Sequence, residues 1–133
     1  MRAALEEKVV GAKQWSSDWM RAALGLCVLR TLVAGPTYGY AIAAALEENG
    51  FGTIKGGTLY PLLTRYEVAG WIAVDWRVGA GGPERKYLSL TNTGRDELAT
   101  QTAHWRDFTG TVLAHLDNTP TSGTALTMGT DKS

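Results

Sequence analysis

Cysteine, histidine and long apolar runs are all scarce in this sequence, and each shortage closes off a class of function. The single cysteine, Cys27, has no internal disulfide partner. It lies in the apolar run "ALGLCVL", where a thiol reads as a small buried hydrophobe rather than a nucleophile. The two histidines, His104 and His115, lack metal-ligand spacing. No base neighbours Cys27 and no phosphate-cradling loop is present, so neither an enzyme nor a metal or other cofactor is expected. No stretch approaches the roughly 20 unbroken apolar residues of a membrane span. The start, "MRAALEEKVVGAKQW", has no apolar signal-peptide core, which points to a cytoplasmic protein.

What is present suits one folded domain with trimmings. The 133 residues are 44% hydrophobic and 20% charged, an ordinary soluble composition. The formal net charge is zero, but the charges are unevenly placed. The first 52 residues are balanced. From residue 53 to 95 the bases Lys55, Arg65, Arg77, Arg85, Lys86 and Arg95 outnumber Glu67, Asp75 and Glu84. Beyond Arg95 the acids dominate. A basic middle is a weak sign of a polyanion partner until its residues share a surface.

Periodicity and punctuation divide the chain. Residues 3 to 14 predict a short helix interrupted by Gly11. "SSDW" is a helix start, with Ser16 or Ser17 as cap and Asp18 at the positive end of the dipole, and Gly35-Pro36 closes that helix. "TYGYAIAAALEENG" predicts a second, capped by Thr37 and stopped by Asn49-Gly50, with Tyr40, Ile42, Ala43 and Leu46 as its apolar stripe. "KGGTLYPLLTRYEVAGW" predicts a third, capped by Thr58 with Pro61 in its first turn and ended by Gly70. Leu59, Leu62, Leu63 and Tyr66 stand at i, i+3, i+4 and i+7, one buried stripe. "WIAVDWRV" and "RKYLSL" alternate around a glycine-rich turn and predict a hairpin, with Trp71 and Trp76 in the core. A last helix from residue 92 to 117 carries Leu98, Trp105, Phe108, Val112 and Leu116. The Thr/Ser/Gly-rich tail from 118 to 133 predicts disorder.

The expected fold is mainly α with a small β-hairpin (α+β): a winged helix-turn-helix over residues 17–91, preceded by an N-terminal extension (1–16). The long helix (92–117) follows the wing. In such a fold the third helix enters a major groove by its N-terminal edge. Gly56 and Gly57 remove bulk there, and Thr58, Tyr60 and Thr64 offer hydroxyls and methyls to base edges. The apolar stripe of the long helix outruns the winged domain, leaving nothing in its own chain to cover it. A homodimer follows, and Gly110, costing about 1 kcal/mol against alanine, also favours a helix held by a partner.

"YGYAIAAALEE", "GGTLYPLLTRYEVAGWI" and "GGPERKYLSLTNTG", in that order, resemble the PadR family of bacterial transcriptional regulators, in its short subclass with a single C-terminal dimerisation helix. The resemblance spans roughly residues 19 to 116. Gly56 stands where the family often has serine, Tyr66 where it has leucine, and Trp71 where it has another apolar residue. The resemblance implies a homodimeric repressor binding a near-palindromic double-stranded DNA operator. Carried onto this sequence, the DNA contacts fall on Tyr38, Lys55, Thr58, Tyr60, Thr64, Arg65, Arg85 and Lys86. Tyr38 reads equally as a phosphate contact or as a ring packed on the helix end, and one of Arg85 and Lys86 is expected to face DNA while the other stays on the strand. The resemblance also implies an interfacial pocket for a flat aromatic effector at Trp19, Trp105 and Phe108, although the same residues read as plain dimer packing. The rival reading is a winged domain used only for protein–protein contact, which would need neither the basic helix nor the basic wing.

Overall fold

The computed structural model describes residues 14–78 and 81–118. Apart from Gln14 and Asn118, the expected N-terminal helix and the expected disordered tail lie outside the described residues. The chain divides into two compact units, one running to Ala99 and the other beginning at Thr100.

Helix α1 (Ser17–Thr31) starts where Ser16 accepts hydrogen bonds from the amides of Asp18 and Trp19, at 3.2 and 3.4 Å. Ser16 is therefore the cap, relieving two of the amides every helix start leaves unpaired. A 3-10 turn (Leu32–Ala34) and Gly35, at φ 133°, end it. Next comes an element the sequence did not announce. Thr37–Tyr38 form a two-residue strand, β1. Thr37 is thus not a helix cap: its extended backbone pairs with a later strand, and the helix begins after Tyr38.

Helix α2 (Gly39–Leu46) buries Gly39, Ile42 and Leu46, with Ala43 packed against the core. The stripe therefore takes its phase from Gly39, and Tyr40, expected within it, is 74% exposed. The chain widens into a π-type turn (Glu47–Phe51) and stops at Gly50, φ 96°, a left-handed angle that glycine tolerates.

Helix α3 (Gly56–Val68) buries Leu59, Leu62, Leu63 and Tyr66, the stripe read from the sequence. It starts earlier than expected. The Lys55 carbonyl accepts from the amides of Thr58 and Leu59, at 2.9 and 3.0 Å. Thr58 thus lies inside the first turn and is not the cap, and Pro61 is the sixth helical residue. The amide Pro61 lacks would have bonded the carbonyl of Gly57, an exposed residue where the loss costs little. At the far end Gly70 (φ 84°) donates to Glu67, and Trp71 donates to Tyr66. This is a Schellman stop, completed by the Tyr66 and Trp71 rings at 4.8 Å.

Strands β2 (Ile72–Val78) and β3 (Glu84–Leu90) form the predicted hairpin, and β1 adds to it in the order β1-β3-β2. Ile72, Leu88 and Leu90 face the helices and complete a core with Leu24, Val28, Leu29 and Leu32. Truncating one of these leucines to alanine should cost about 2–5 kcal/mol. Trp76 shares the inward face but is 58% exposed, because the strands outrun the helices there. Trp71 is half-buried against the core.

Helix α4 (Asn92–Asp117) is fastened at its start by Thr91. That hydroxyl donates to the Gly70 carbonyl at 2.7 Å and accepts from the Gly94 amide at 2.9 Å. A Cβ at Gly94 would run into the Trp71 carbonyl, so "TNTG" is a backbone-packing motif.

Candidate nucleic-acid interface

Once α3 has buried its leucine stripe, the remaining side chains form an exposed edge of Lys55, Gly56, Gly57, Thr58, Tyr60, Thr64 and Arg65. Its two glycines serve different ends. A Cβ on Gly56 would meet the Tyr60 ring at 3.3 Å, so part of the need for glycine there is internal. Among the described residues a Cβ on Gly57 would meet nothing within 4 Å, so none of them requires that position to be bare. Tyr60 is 52% exposed and turns its ring back across Gly39 at the head of α2. Thr64 donates its hydroxyl to the Tyr60 carbonyl at 3.1 Å, leaving its oxygen lone pairs and methyl outward.

The wing sorts its charges by strand alternation. On the inward face Lys86 reaches Glu67 of α3 at 3.6 Å. Both groups are partly exposed, so that pair contributes at most about 1 kcal/mol. On the outward face Arg77 stands opposite Arg85, and Asp75 opposite Tyr87. Tyr38 pairs with Tyr87 from the other side. The Arg85 guanidinium lies 4.4 Å from the Tyr38 ring centroid, and that of Arg77 lies 4.8 Å from Tyr87. The two rings meet edge-on at 5.5 Å. Tyr38 is thus half-buried and packed, and it also carries an arginine. Arg77 lies outside the three quoted motifs, and only the strand register places it on Tyr87 here.

The model of the family described as "Transcriptional regulator PadR-like family" matches residues 28–100, from α1 through the wing into α4. This chain belongs to that family. A PadR-type regulator from Eggerthella lenta is 33% identical, with a TM-score of 0.70, over 77% of this chain and 88% of the other. A Streptococcus transcriptional regulator is 35% identical, with a TM-score of 0.67, over 74% of this chain and 97% of the other. A curated transcriptional regulator of Mycobacterium tuberculosis is 29% identical over 80% of this chain and 98% of its own length. The protein is a PadR-type transcriptional regulator, and the fold is a winged helix.

Trp19 is 66% exposed and borders a groove of about 230 Å³ with Trp15, Met20 and Phe51. A second groove, about 270 Å³, runs from Trp15 and Met20 to Lys55 and Thr58 at the head of α3. Leu98 packs partly against the winged core. In the second unit Trp105 is half-buried, and its ring lies 6.2 Å from that of Phe108. Burial holds the Cys27 thiol above its usual pKa, as suits a packing residue. Among the described residues no His, Cys, Asp and Glu cluster could hold a metal, and no helix is long and apolar enough to cross a membrane.

Proposed function

We propose that this regulator is a homodimer that represses by occupying a near-palindromic operator, with the exposed edge of α3 in the major groove and the wing on the adjoining backbone. The observation that carries the reading is Gly57. It is bare at the leading edge of a helix that starts beside Lys55 and carries Arg65 outward, and none of the described residues asks for a glycine there. Close approach to a duplex does. On this reading Lys55, Thr58, Tyr60, Thr64 and Arg65 form the recognition surface. Of the two bases in the wing motif, Arg85 faces the backbone while Lys86 stays with Glu67. Sequencing and footprinting the DNA fragments the protein retains is the test. Two related half-sites, with centres about one helical turn (10–10.5 base pairs) or a multiple apart, are expected. A single unrepeated site, or no retained fragment, overturns the reading.

Ligand control belongs to the same proposal. A two-fold axis along α4 would bring two copies of Trp105 together, each backed by Phe108, as apolar faces for a planar ring system, and exposed Trp19 is the contribution expected from α1. Binding there would reset the angle between the winged domains. Titration with planar aromatic dyes should quench tryptophan fluorescence in the wild type and far less in Trp105→Ala. Equal affinity in both would leave Trp105 as packing alone.

A further inference from the structure

The outward face of the wing places two arginines directly across from one another, and like charges in that relation are destabilising in isolation. Each guanidinium rests on its own tyrosine, Arg85 on Tyr38 and Arg77 on Tyr87. Among the described residues the only acid against either is Asp75, whose Oδ2 lies 3.1 Å from Arg77 Nε. Among the described residues that leaves the terminal nitrogens of Arg77 without a protein acceptor, and no carboxylate lies within ion-pair distance of Arg85. Tyr38 adjoins Gly39, which carries the Tyr60 ring of α3, so the four side chains continue the surface of the recognition helix.

We infer that Arg77 is a second wing contact to the DNA backbone. In this arrangement Arg77 and Arg85 hold successive phosphodiesters of one strand, and Tyr87 and Tyr38 are positioning residues that fix the two guanidiniums. A stacked guanidinium has little freedom left to lose, and its planar fork suits a phosphate. The two rings meet at 5.5 Å and hold the two guanidiniums on one face of the wing. A polyanion also removes the repulsion that the pair would otherwise carry. This inference rests on the operator-binding reading and adds to it a residue outside the sequence motifs.

The test measures affinity for a duplex of arbitrary sequence, about 30 base pairs, across a salt series, using the full chain. Arg77→Gln should flatten the log–log salt slope by about 0.9 per subunit, and Arg77→Gln with Arg85→Gln by about twice that. Tyr87→Leu should lose affinity several-fold with its charge unchanged, while Tyr87→Phe stays near wild type, with thermal melting confirming that all variants fold. An Arg77→Gln slope equal to wild type, while Arg85→Gln lowers it, overturns the inference and leaves operator binding intact. Failure of the wild type to bind any duplex overturns both.

Discussion

The ring of Tyr60 lies so close to the head of α2 that a Cβ on Gly39 would sit 2.5 Å from its Cε1. Helix α3, the proposed recognition helix, is therefore tied to α2 by one aromatic ring seated on a glycine. Rigid placement matters because a helix in a groove reads bases only in the correct register. Gly39→Ala should displace Tyr60 and weaken operator binding without removing any DNA-contacting group. Tyr60→Ala should weaken specific binding by about 1–3 kcal/mol if the hydroxyl also touches a base. Gel-shift titrations of both variants are the check; unchanged affinity in both would take Tyr60 out of the recognition surface.

Gly57 separates stability from function. Alanine fits there without a clash and relieves the conformational entropy of glycine, so Gly57→Ala should stabilise the fold by about 0.5–1 kcal/mol. The same methyl should hinder approach to the groove and reduce operator affinity. Melting temperature and gel shift, read together, decide this. A variant that is more stable and binds as well would remove the close-approach argument.

The parts of this fold that the sequence announced are those fixed by local chemistry. The α3 stripe, the Gly70 stop and the hairpin alternation each depend on residues within a turn or two, and each is where it was expected; of the two candidate serines, Ser16 is the cap. Missed features depend on partners distant in sequence. Thr37 and Tyr38 became a strand because β3 lies beside them, which shifted the α2 stripe from Tyr40 to Gly39. The α3 start moved because the Lys55 carbonyl is the first acceptor. Trp76 obeys the alternation, yet lies past the edge of the core where alternation no longer means burial. The site followed the same rule. Motif residues on α3 were legible, whereas the Arg77–Tyr87 contact needed the strand register.

Cys27 offers a pH-dependent check. Burial raises its thiol pKa, so the folded state prefers the protonated form. A raised folded-state pKa gives stability that is complete below the unfolded thiol pKa and is lost as pH climbs through the folded one. Iodoacetamide should therefore modify the native protein far more slowly than the urea-unfolded chain at mildly alkaline pH. Matching rates, measured by mass spectrometry, would mean an accessible thiolate.

The C-terminal unit supplies the sharpest prediction about assembly. In the single chain Phe108, Leu113 and Leu116 of α4 are 59%, 57% and 69% exposed, and Val112 lies on the same side. An apolar helix face left in water is poorly stable alone, and Gly110 within it weakens the helix by about a further 1 kcal/mol. Covering that face with a second copy would supply the burial that one chain lacks. Leu98 makes a poor probe, since its partial packing on the winged core means a charge there would disturb folding as well. Val112→Glu with Leu116→Glu is the better pair, because both side chains reach solvent in one chain. Sedimentation at micromolar concentration should give dimers for the wild type and folded monomers for the double variant, with wing-region melting little changed. Operator affinity should fall steeply in that variant, because two half-sites would no longer be bound as one unit. A wild-type protein that sediments as a monomer at that concentration would sink the dimer, and the symmetric operator with it.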